Sequence, residues 1–486
     1  MRKLLTSIFL FVLNLTVYGI QDNWPDYIDS EERELIDFLF SDYNGDQPGA
    51  SVMVIKDQQI AWKHSYGLAN INEDLSATEY TNYRIASVTK QFTAFAVLML
   101  IHEGKLDYET TLNQIFPEFP DYGSTINIHH LLCHRSGLVH YGQFIQEGRE
   151  EQILDPEILK GLLSTDSTKF EPGSKYSYSN TGYAVLAMVV EKVSGMSFPD
   201  FMEKKIFDPL GMKDAMVYEK DQYIKNRAYG YIVTDSSITL KDQNLSSAVM
   251  GDGGIYCSVE DYFKWDQALY TDKLIPYKMY KEAFYAQEAQ GRTSEAGYGY
   301  GWKIAYRDSL KILYHGGSSV GFGSFVYRIP EENLSVVIFT NRSRTGYGIS
   351  DGAKALASIF SNYKLKMPIE VVMRREIEQN GVEAALKLYQ EQKNSTDYHS
   401  SKEALFYLGV GYLNGDKYAI ATSLFEQLIE EYPAYYGGYY GLGYTYKSEG
   451  RTDEAIANFK KVTELDSKDI KRIIEVSQQE IEKLSN

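Results

Sequence analysis

Ser87 and Lys90 form a pair whose residue types and spacing suit nucleophilic catalysis. They stand just before the apolar run Phe92–His102, which lacks Gly and Pro and predicts a buried helix. Side chains three residues apart share one face of a helix, so the Lys90 amine can hold or accept the Ser87 proton. A helix N-terminus also favours developing negative charge. The S-x-x-K pattern alone is weak, because chance produces it in a chain of this length, and the helix that follows gives it weight.

Tyr178 and Asn180 lie in a polar stretch that begins at a Pro-Gly turn and runs into a predicted helix at Tyr183–Val193. A loop tyrosine held beside a cation such as Lys90 can act as a general base towards the serine and later as an acid. The Asn180 amide is a candidate donor to a substrate carbonyl. The alternative for Tyr178 is simple packing, since the chain contains 41 tyrosines.

His315, Gly316 and Gly317 end a β-rich run, where a strand edge can line a cleft. Glycines at such a place permit a ligand to approach the backbone closely. The N–H groups of Ser318 and Ser87 would then form an oxyanion hole. The alternative is a strand-terminal histidine that merely precedes a glycine-rich turn.

The hydrophobic pattern of residues 28–362 predicts the scaffold for these groups. Residues 28–42 predict an amphipathic helix, and the β-rich runs Ala50–Lys56 and Gln59–Tyr66 predict a hairpin. Further strands are predicted at Tyr298–Tyr306, Lys311–His315, Gly323–Ile329 and Leu334–Asn341, with a helix at Ser350–Tyr363. Because Ile126–Gly195 reads as helices and loops, we expect an α+β fold, with one antiparallel sheet flanked by helices and a helical lobe across a cleft.

Residues 403–470 contain two copies of a pattern that recurs after 34 positions, the period of tetratricopeptide repeats. The matched pairs are Leu408 and Leu442, Gly409 and Gly443, Tyr412 and Tyr446, Ala421 and Ala455, and Phe425 and Phe459. The small residues let paired helices approach, and the large ones fill the space between them. An all-α module is therefore predicted, with a linker and a degenerate repeat (375–393) in 363–402 and a capping helix at 471–486.

Such repeats offer a surface to a protein partner. Two or three repeats are few for a stable solenoid, so we expect the module to dock on the preceding domain or to dimerise through the tyrosines at 432–446. An independent module on a flexible joint near residue 365 is the alternative.

The composition excludes nucleic acid as a partner, because the net charge is −17 and phosphate binding needs a basic surface. Residues 1–19 combine a basic start, a short apolar run and small residues suited to cleavage, which predicts a signal peptide and an exported protein, periplasmic or secreted. An uncleaved anchor is the alternative. No later segment is long and apolar enough to predict an integral membrane span.

No metal site or cofactor is predicted. His130 and His134 are four residues apart and His129 is adjacent, but no H-E-x-x-H pattern accompanies them, and no phosphate-binding loop is present. Cys133 and Cys257 are the two cysteines of the chain, and they could pair after export or remain as two buried thiols.

The order S-x-x-K, Y-x-N, H-x-G resembles that of the penicillin-binding-protein and class C β-lactamase superfamily. Three further segments resemble those of the family: Leu131–Leu138 ("LLxHxSGL"), Gly251–Ser258 (glycine-rich) and Pro209–Met212. The resemblance covers residues 28–362 and implies a serine hydrolase domain there.

By this resemblance, Ser87 is the acylated nucleophile, Lys90 its proton partner and Tyr178 the base. Asn180 would position the substrate, and His315 would occupy the cation position of the third motif.

One departure bears on the substrate. True β-lactamases usually carry K-T-G where this chain has His315, Gly316 and Gly317, and a histidine is mostly neutral near pH 7. The H-x-G form resembles esterases and D-amino-acid peptidases of the superfamily, so we expect hydrolysis of a small ester or amide. The alternative is a catalytically weak scaffold that binds peptides through its repeats.

Overall fold

The computed structural model describes residues 24–234, 237–287, 297–343, 348–465 and 470–485. The predicted signal peptide at 1–19 lies outside the described residues. Within them, no helix is long and apolar enough to cross a membrane.

One seven-stranded antiparallel sheet is built from both ends of the first domain, as predicted. Its strands are β1 (Ala50–Lys56), β2 (Gln59–Tyr66), β3 (Gly297–Tyr298), β4 (Lys303–Arg307), β5 (Leu310–Ser319), β6 (Phe322–Ile329) and β7 (Leu334–Thr340). Their spatial order is β3-β4-β5-β6-β7-β1-β2, so the N-terminal hairpin joins the C-terminal meander through the pairing of β1 with β7.

Five longer helices pack around this sheet. They are α1 (Ser30–Leu39), α2 (Thr89–His102), α3 (Asn180–Ser194), α4 (Val259–Ala268) and α5 (Ile349–Phe360). Shorter helices lie at Leu112–Ile115, Ile128–Leu132, Asp155–Leu163, Phe198–Met202, Asp208–Leu210, Met250–Gly253 and Tyr277–Tyr280. Short strands lie at Leu68–Asn70, Leu75–Ser76, Tyr83–Arg84, Met216–Val217, Tyr231–Thr234, Ser237–Leu240, Ile255–Cys257, Arg342–Ser343, Met367–Pro368 and Tyr398–His399.

The sheet separates two apolar cores. Successive strand residues point to opposite faces, so Met53 and Ile55 of β1 join the core of the helical lobe, while Val52 and Val54 join the core under α1 and α5. Helix α2 is buried all round because it runs through the helical lobe. The fold is thus the predicted α+β arrangement, with the helical lobe on one face of the sheet.

A buried ion pair ties the helical lobe to the sheet. Arg328 Nε of β6 lies 2.9 Å from Asp266 Oδ1 of α4, and neither side chain is more than 1% exposed. Ser335 of β7 donates a further hydrogen bond to the same carboxylate oxygen over 2.8 Å. One carboxylate therefore connects α4 to two neighbouring strands.

The C-terminal residues form antiparallel helix pairs. They are α6 (Ile369–Asn380), α7 (Val382–Gln392), α8 (Lys402–Asn414), α9 (Tyr418–Glu431), α10 (Tyr436–Ser448), α11 (Thr452–Glu464) and α12 (Lys471–Ser485). Phe425 of α9 fills the space above Gly409 and Gly441, where a Cβ atom would come within 2.6 and 2.4 Å of its ring. The predicted division between small and large repeat residues is therefore confirmed.

The repeat module contacts the first domain through α6. Val371 belongs to the apolar core under the sheet, and Arg374 Nη2 lies 2.8 Å from Asp42 Oδ2. The tyrosines at 432–446 do not make this contact: Tyr435, Tyr440 and Tyr444 pack within the module's own core. The expected docking therefore occurs, but through a different helix.

We expect Asp266→Asn to destabilise the protein by about 3 kcal/mol or more, because it leaves the Arg328 guanidinium buried without its counter-ion. The change is measured from urea unfolding followed by tryptophan fluorescence. Asp200→Asn is the matched control, since its partner Lys204 is solvent-exposed and surface pairs contribute little. Equal unfolding midpoints for the two variants would contradict the assigned role.

Candidate active site

Ser87 sits on a strained turn that leads directly into α2. Residues Ala86–Val88 form a short 3-10 turn, and α2 begins at Thr89. Ala86 has φ of 47°, a left-handed conformation that is costly for a residue with a Cβ atom. Backbone strain of this kind clusters at functional sites, where surrounding contacts over-determine the conformation.

The Lys90 amine is the predicted partner of Ser87. Its Nζ donates to Ser87 Oγ over 3.1 Å and to the backbone oxygen of Asp252 over 2.6 Å. The side chain is fully buried. The S-x-x-K spacing thus brings the amine and the hydroxyl into direct contact, as expected for residues on one helix face.

A second layer of buried hydrogen bonds fixes the Asp252 carbonyl. The Tyr141 hydroxyl donates to Asp252 Oδ2 over 2.9 Å, and the Thr93 hydroxyl donates to the Gly251 oxygen over 2.7 Å. Burial raises the pKa of the Asp252 carboxyl, while the nearby Lys90 charge acts in the opposite direction. Sequence analysis missed Tyr141 and Asp252 as site residues, although the acidic residue inside the glycine-rich Gly251–Gly254 segment was an available signal.

Tyr178 lies beside the Lys90 amine, as predicted. The Nζ atom is 5.0 Å from the centroid of the Tyr178 ring, and 39% of this tyrosine is exposed. His134 packs against the Tyr178 ring, with the two ring centroids 4.2 Å apart. Its Nδ1 also accepts a hydrogen bond from the Ser179 N–H over 3.0 Å. His134 is fully buried and has φ of 59°. We assign it a role in positioning Tyr178, which the sequence analysis did not predict.

Asn180 opens helix α3, three residues earlier than predicted. Ser179 caps this helix by accepting a hydrogen bond from the Gly182 N–H over 3.1 Å. Among the residues that the structure describes, none hydrogen-bonds to the buried Oδ1 atom of Asn180. Amide oxygen and nitrogen are exchangeable by a flip, and a substrate can satisfy the unpartnered atom.

Gly317 brings β5 against the nucleophile. A Cβ atom at Gly317 would fall 2.9 Å from the backbone nitrogen of Ser87 and 2.4 Å from the Ile85 oxygen. Only glycine permits this approach, so β5 lies directly against the nucleophile. The next residue, Ser318, is exposed.

His315 is buried and uncharged. Burial, followed by the charges of Lys90 and Lys303, lowers the pKa of His315 to about 3. Its Nδ1 lies 2.9 Å from the Gly316 oxygen, which only accepts, so Nδ1 carries the proton and Nε2 accepts from the Tyr298 hydroxyl at 3.1 Å. The third-motif position therefore holds a neutral side chain whose two nitrogens are already engaged within the protein.

Other titratable groups of the helical lobe have structural partners. Among the described residues, no cluster of three or more His, Cys, Asp or Glu side chains is arranged to hold a metal ion. His129 Nδ1 contacts the Tyr300 hydroxyl at 3.1 Å. Cys133 and Cys257 are both buried and are not joined in a disulfide, and Cys133 Sγ donates to the His129 oxygen over 2.8 Å.

Comparison with known proteins agrees with this geometry. The profile of the Beta-lactamase family matches residues 29–358, and tetratricopeptide repeat profiles match 403–435 and 436–469. Penicillin-binding protein 4* of Bacillus subtilis is 31% identical over 312 residues, which cover 61% of this chain and 68% of that protein. A D-aminopeptidase of Gluconobacter oxydans is 25% identical over 60% of this chain and 56% of its own length.

Solved structures show the same fold. An octameric penicillin-binding protein homologue from Pyrococcus abyssi superimposes with a TM-score of 0.61 at 26% identity, covering 71% of this chain and 81% of that one. A D-amino acid amidase from Ochrobactrum anthropi gives a TM-score of 0.56 at 22% identity, over 65% of this chain and 92% of that one, and this likeness concerns the fold alone. The chain belongs to the Beta-lactamase family, in a form with penicillin-binding-protein-like architecture followed by C-terminal tetratricopeptide repeats.

Proposed function

We propose that this protein is an exported serine hydrolase that cleaves small esters or amides through an acyl-enzyme formed on Ser87. The direct hydrogen bond between Lys90 Nζ and Ser87 Oγ carries the proposal, because a buried amine held against a serine hydroxyl prepares a nucleophile. Export rests on the signal-peptide pattern of residues 1–19.

The arrangement suits acyl transfer in two steps. The phenolate form of Tyr178 accepts the hydroxyl proton and becomes the phenol, while the Lys90 ammonium stabilises the alkoxide, and Ser87 Oγ attacks the substrate carbonyl. The backbone N–H groups of Ser87 and Ser318 hold the oxyanion, and Tyr178 returns the proton to the leaving group. A water molecule activated by the same base then releases the acyl group from Ser87.

The neutral His315 favours substrates without a carboxylate at the third-motif position. An anionic group there would be desolvated beside an uncharged ring whose nitrogens are already bonded. A lysine at position 315, as in K-T-G, would instead supply a charge. Esters and amides, including those of D-amino acids, therefore fit this site better than β-lactams. The relative described as a D-aminopeptidase agrees with that class.

A peptide-binding scaffold is the second candidate, favoured by the repeat module itself. In that case the serine would react with no acylating probe.

We expect Ser87→Ala to abolish turnover of a short-chain chromogenic ester and labelling by a fluorescent fluorophosphonate, because no other hydroxyl receives the acyl group. Ser318→Ala is the matched control. It keeps the backbone N–H that we assign to the oxyanion hole, so activity should stay within about threefold of wild type. Retained labelling of the Ser87→Ala variant would refute the nucleophile assignment.

We expect Tyr178→Phe to lower kcat for the same ester by about 10² to 10⁴, the usual contribution of a general base. The neighbouring Tyr176→Phe should have little effect, since we assign the Tyr176 ring, which lies 5.9 Å from that of His134, no part in proton transfer. Thermal unfolding of both variants would show that the fold is kept. Similar rates for the two variants would mean that Tyr178 only packs.

The low pKa of His315 predicts an acid-sensitive fold. Because the folded-state pKa is about 3 against an ordinary value of about 6.5, the unfolded chain binds the proton first as the pH falls. Stability is therefore full above about pH 6.5 and declines towards pH 3. His315→Gln removes this dependence, so its free energy of unfolding relative to wild type should rise by up to about 1.4 kcal/mol per pH unit on acidification. Urea unfolding at pH 7, 5 and 4 measures it, and a constant difference would contradict it.

A further inference from the structure

A large cavity lies on the opposite side of the sheet from Ser87. It has a volume of about 1500 Å³ and is lined by the outer face of β4–β6, the short strands Tyr231–Thr234 and Ser237–Leu240, and helices α6 and α8 of the repeat module. Ser87, Lys90 and Tyr178 do not line it. Its volume exceeds the ~300–1,000 Å³ of ordinary small-molecule pockets, so it has room for a peptide.

The walls of this cavity are held in place. Besides the Arg374–Asp42 pair, Arg307 of β4 donates to the backbone oxygen of Lys366 and, over 3.2 Å, to Ser358 Oγ. Residues Met367–Pro368 pair with Tyr398–His399 beside the entrance to α8. The cavity is therefore a formed feature of the joined domains.

Charge is distributed unequally around it. Helices α6 and α8 and the turn after α8 contribute four acidic residues, Glu370, Glu378, Glu403 and Asp416, and two basic residues, Arg374 and Lys417. Within the described residues, Glu378 and Asp416 accept hydrogen bonds only from tyrosine hydroxyls, of Tyr412 and Tyr418, and neither is in an ion pair. The module side thus carries more acidic than basic residues, and Glu378 and Asp416 are available to a cation.

The sheet side differs. Its floor is apolar and aromatic, with Tyr314 and Phe325 6.0 Å apart. Strand β4 adds Lys303 and Arg307, and the turn after β4 adds one carboxylate, Asp308. Tyr407 of α8 faces the floor across the cavity and is 65% exposed. A complementary ligand has a basic group for the module, apolar side chains for the floor and a carboxylate for β4.

The floor is also the reverse face of the strand that contacts the nucleophile. Along β5, Tyr314 faces the cavity, while Gly317 lies against the Ser87 nitrogen. Between these two residues, Gly316 packs tightly on the floor, because a Cβ atom there would be 3.0 Å from the Phe325 ring. A ligand that displaces Phe325 or Tyr314 therefore shifts the backbone of β5, the strand that carries the Ser318 N–H assigned to the oxyanion hole.

We propose that this cavity is an accessory site for a short peptide that carries a basic residue, apolar residues and a free carboxyl end, and that its occupancy changes turnover at Ser87. Peptide binding does not depend on the proposed hydrolase function, whereas the effect on turnover rests on that function.

Binding is tested by isothermal titration calorimetry on the full chain with Ser87→Ala, so that no probe is hydrolysed. The probes are acetylated hexapeptides of one lysine and five residues drawn from Leu, Tyr and Ala, with a free carboxyl end. We expect at least one to bind more tightly than ~100 µM. Replacing its lysine by glutamate, or its carboxyl end by an amide, should weaken binding about tenfold or more. No binding below ~1 mM across the panel, or equal binding of the glutamate peptide, would overturn the proposal.

The location is tested with exposed residues of the module. Glu403→Gln and Tyr407→Ala should each weaken binding about fivefold or more. Glu383→Gln, an exposed residue of the same module outside the cavity, is the control and should leave the affinity unchanged. Equal affinities for all three variants would place the peptide elsewhere and overturn the site.

Coupling is tested with the wild-type chain and the chromogenic ester. We expect saturating peptide to change kcat/KM at least about twofold, and Tyr407→Ala to keep the basal rate but lose most of the response at the same peptide concentration. An unchanged rate with bound peptide would overturn the coupling. If the wild type cleaves no ester at all, the hydrolase proposal fails, and the calorimetry still decides the binding site.

Discussion

The structure of this domain depends on a cation held out of water. Lys90 is fully buried, and desolvation of an ammonium costs several kcal/mol unless the surroundings replace its hydration. They do so with Ser87 Oγ at 3.1 Å, the Asp252 oxygen at 2.6 Å and the faces of Tyr178 and Tyr183 at 5.0 and 5.6 Å. These acceptors come from the turn before α2, from α3, from the loop before α3 and from the Met250–Gly253 segment. The helical lobe is therefore organised around one amine, and the same contacts that stabilise it aim it at the nucleophile.

Much of the fold could be predicted from local patterns. The hairpin Ala50–Lys56 and Gln59–Tyr66 was predicted to the residue, because alternation and a polar break are local signals. The repeat helices followed from a 34-residue period that side-chain size alone produces. The Ser87–Lys90 contact was also accessible, since helix geometry converts a spacing of three into proximity.

The rest required tertiary structure. Tyr141 and Asp252 are 111 positions apart, and His134 reaches Ser179 across 45 positions, so no window of sequence contains either contact. The residue type of Ala86 does not predict its left-handed backbone, because residues other than Gly adopt this conformation only when surrounding contacts impose it. The prediction that the tyrosines at 432–446 form the docking surface was wrong for a related reason. The abundance of an aromatic residue does not show whether its side chains lie in a module's interior or on its docking face.

The third motif shows how both faces of one strand constrain a sequence. At the front, His315 can be neutral because Tyr298 and the Gly316 oxygen satisfy its nitrogens, whereas a lysine there would add a third cation near Lys90 and Lys303. At the back, a threonine at Gly316 would press on Phe325, which forms the floor of the interdomain cavity. The departure from K-T-G is therefore more than the loss of a charge and a hydroxyl. Strand β5 packs against an aromatic floor on one side and approaches the Ser87 backbone on the other. Substrate preference and the packing at the repeat junction therefore constrain the same three residues, His315, Gly316 and Gly317.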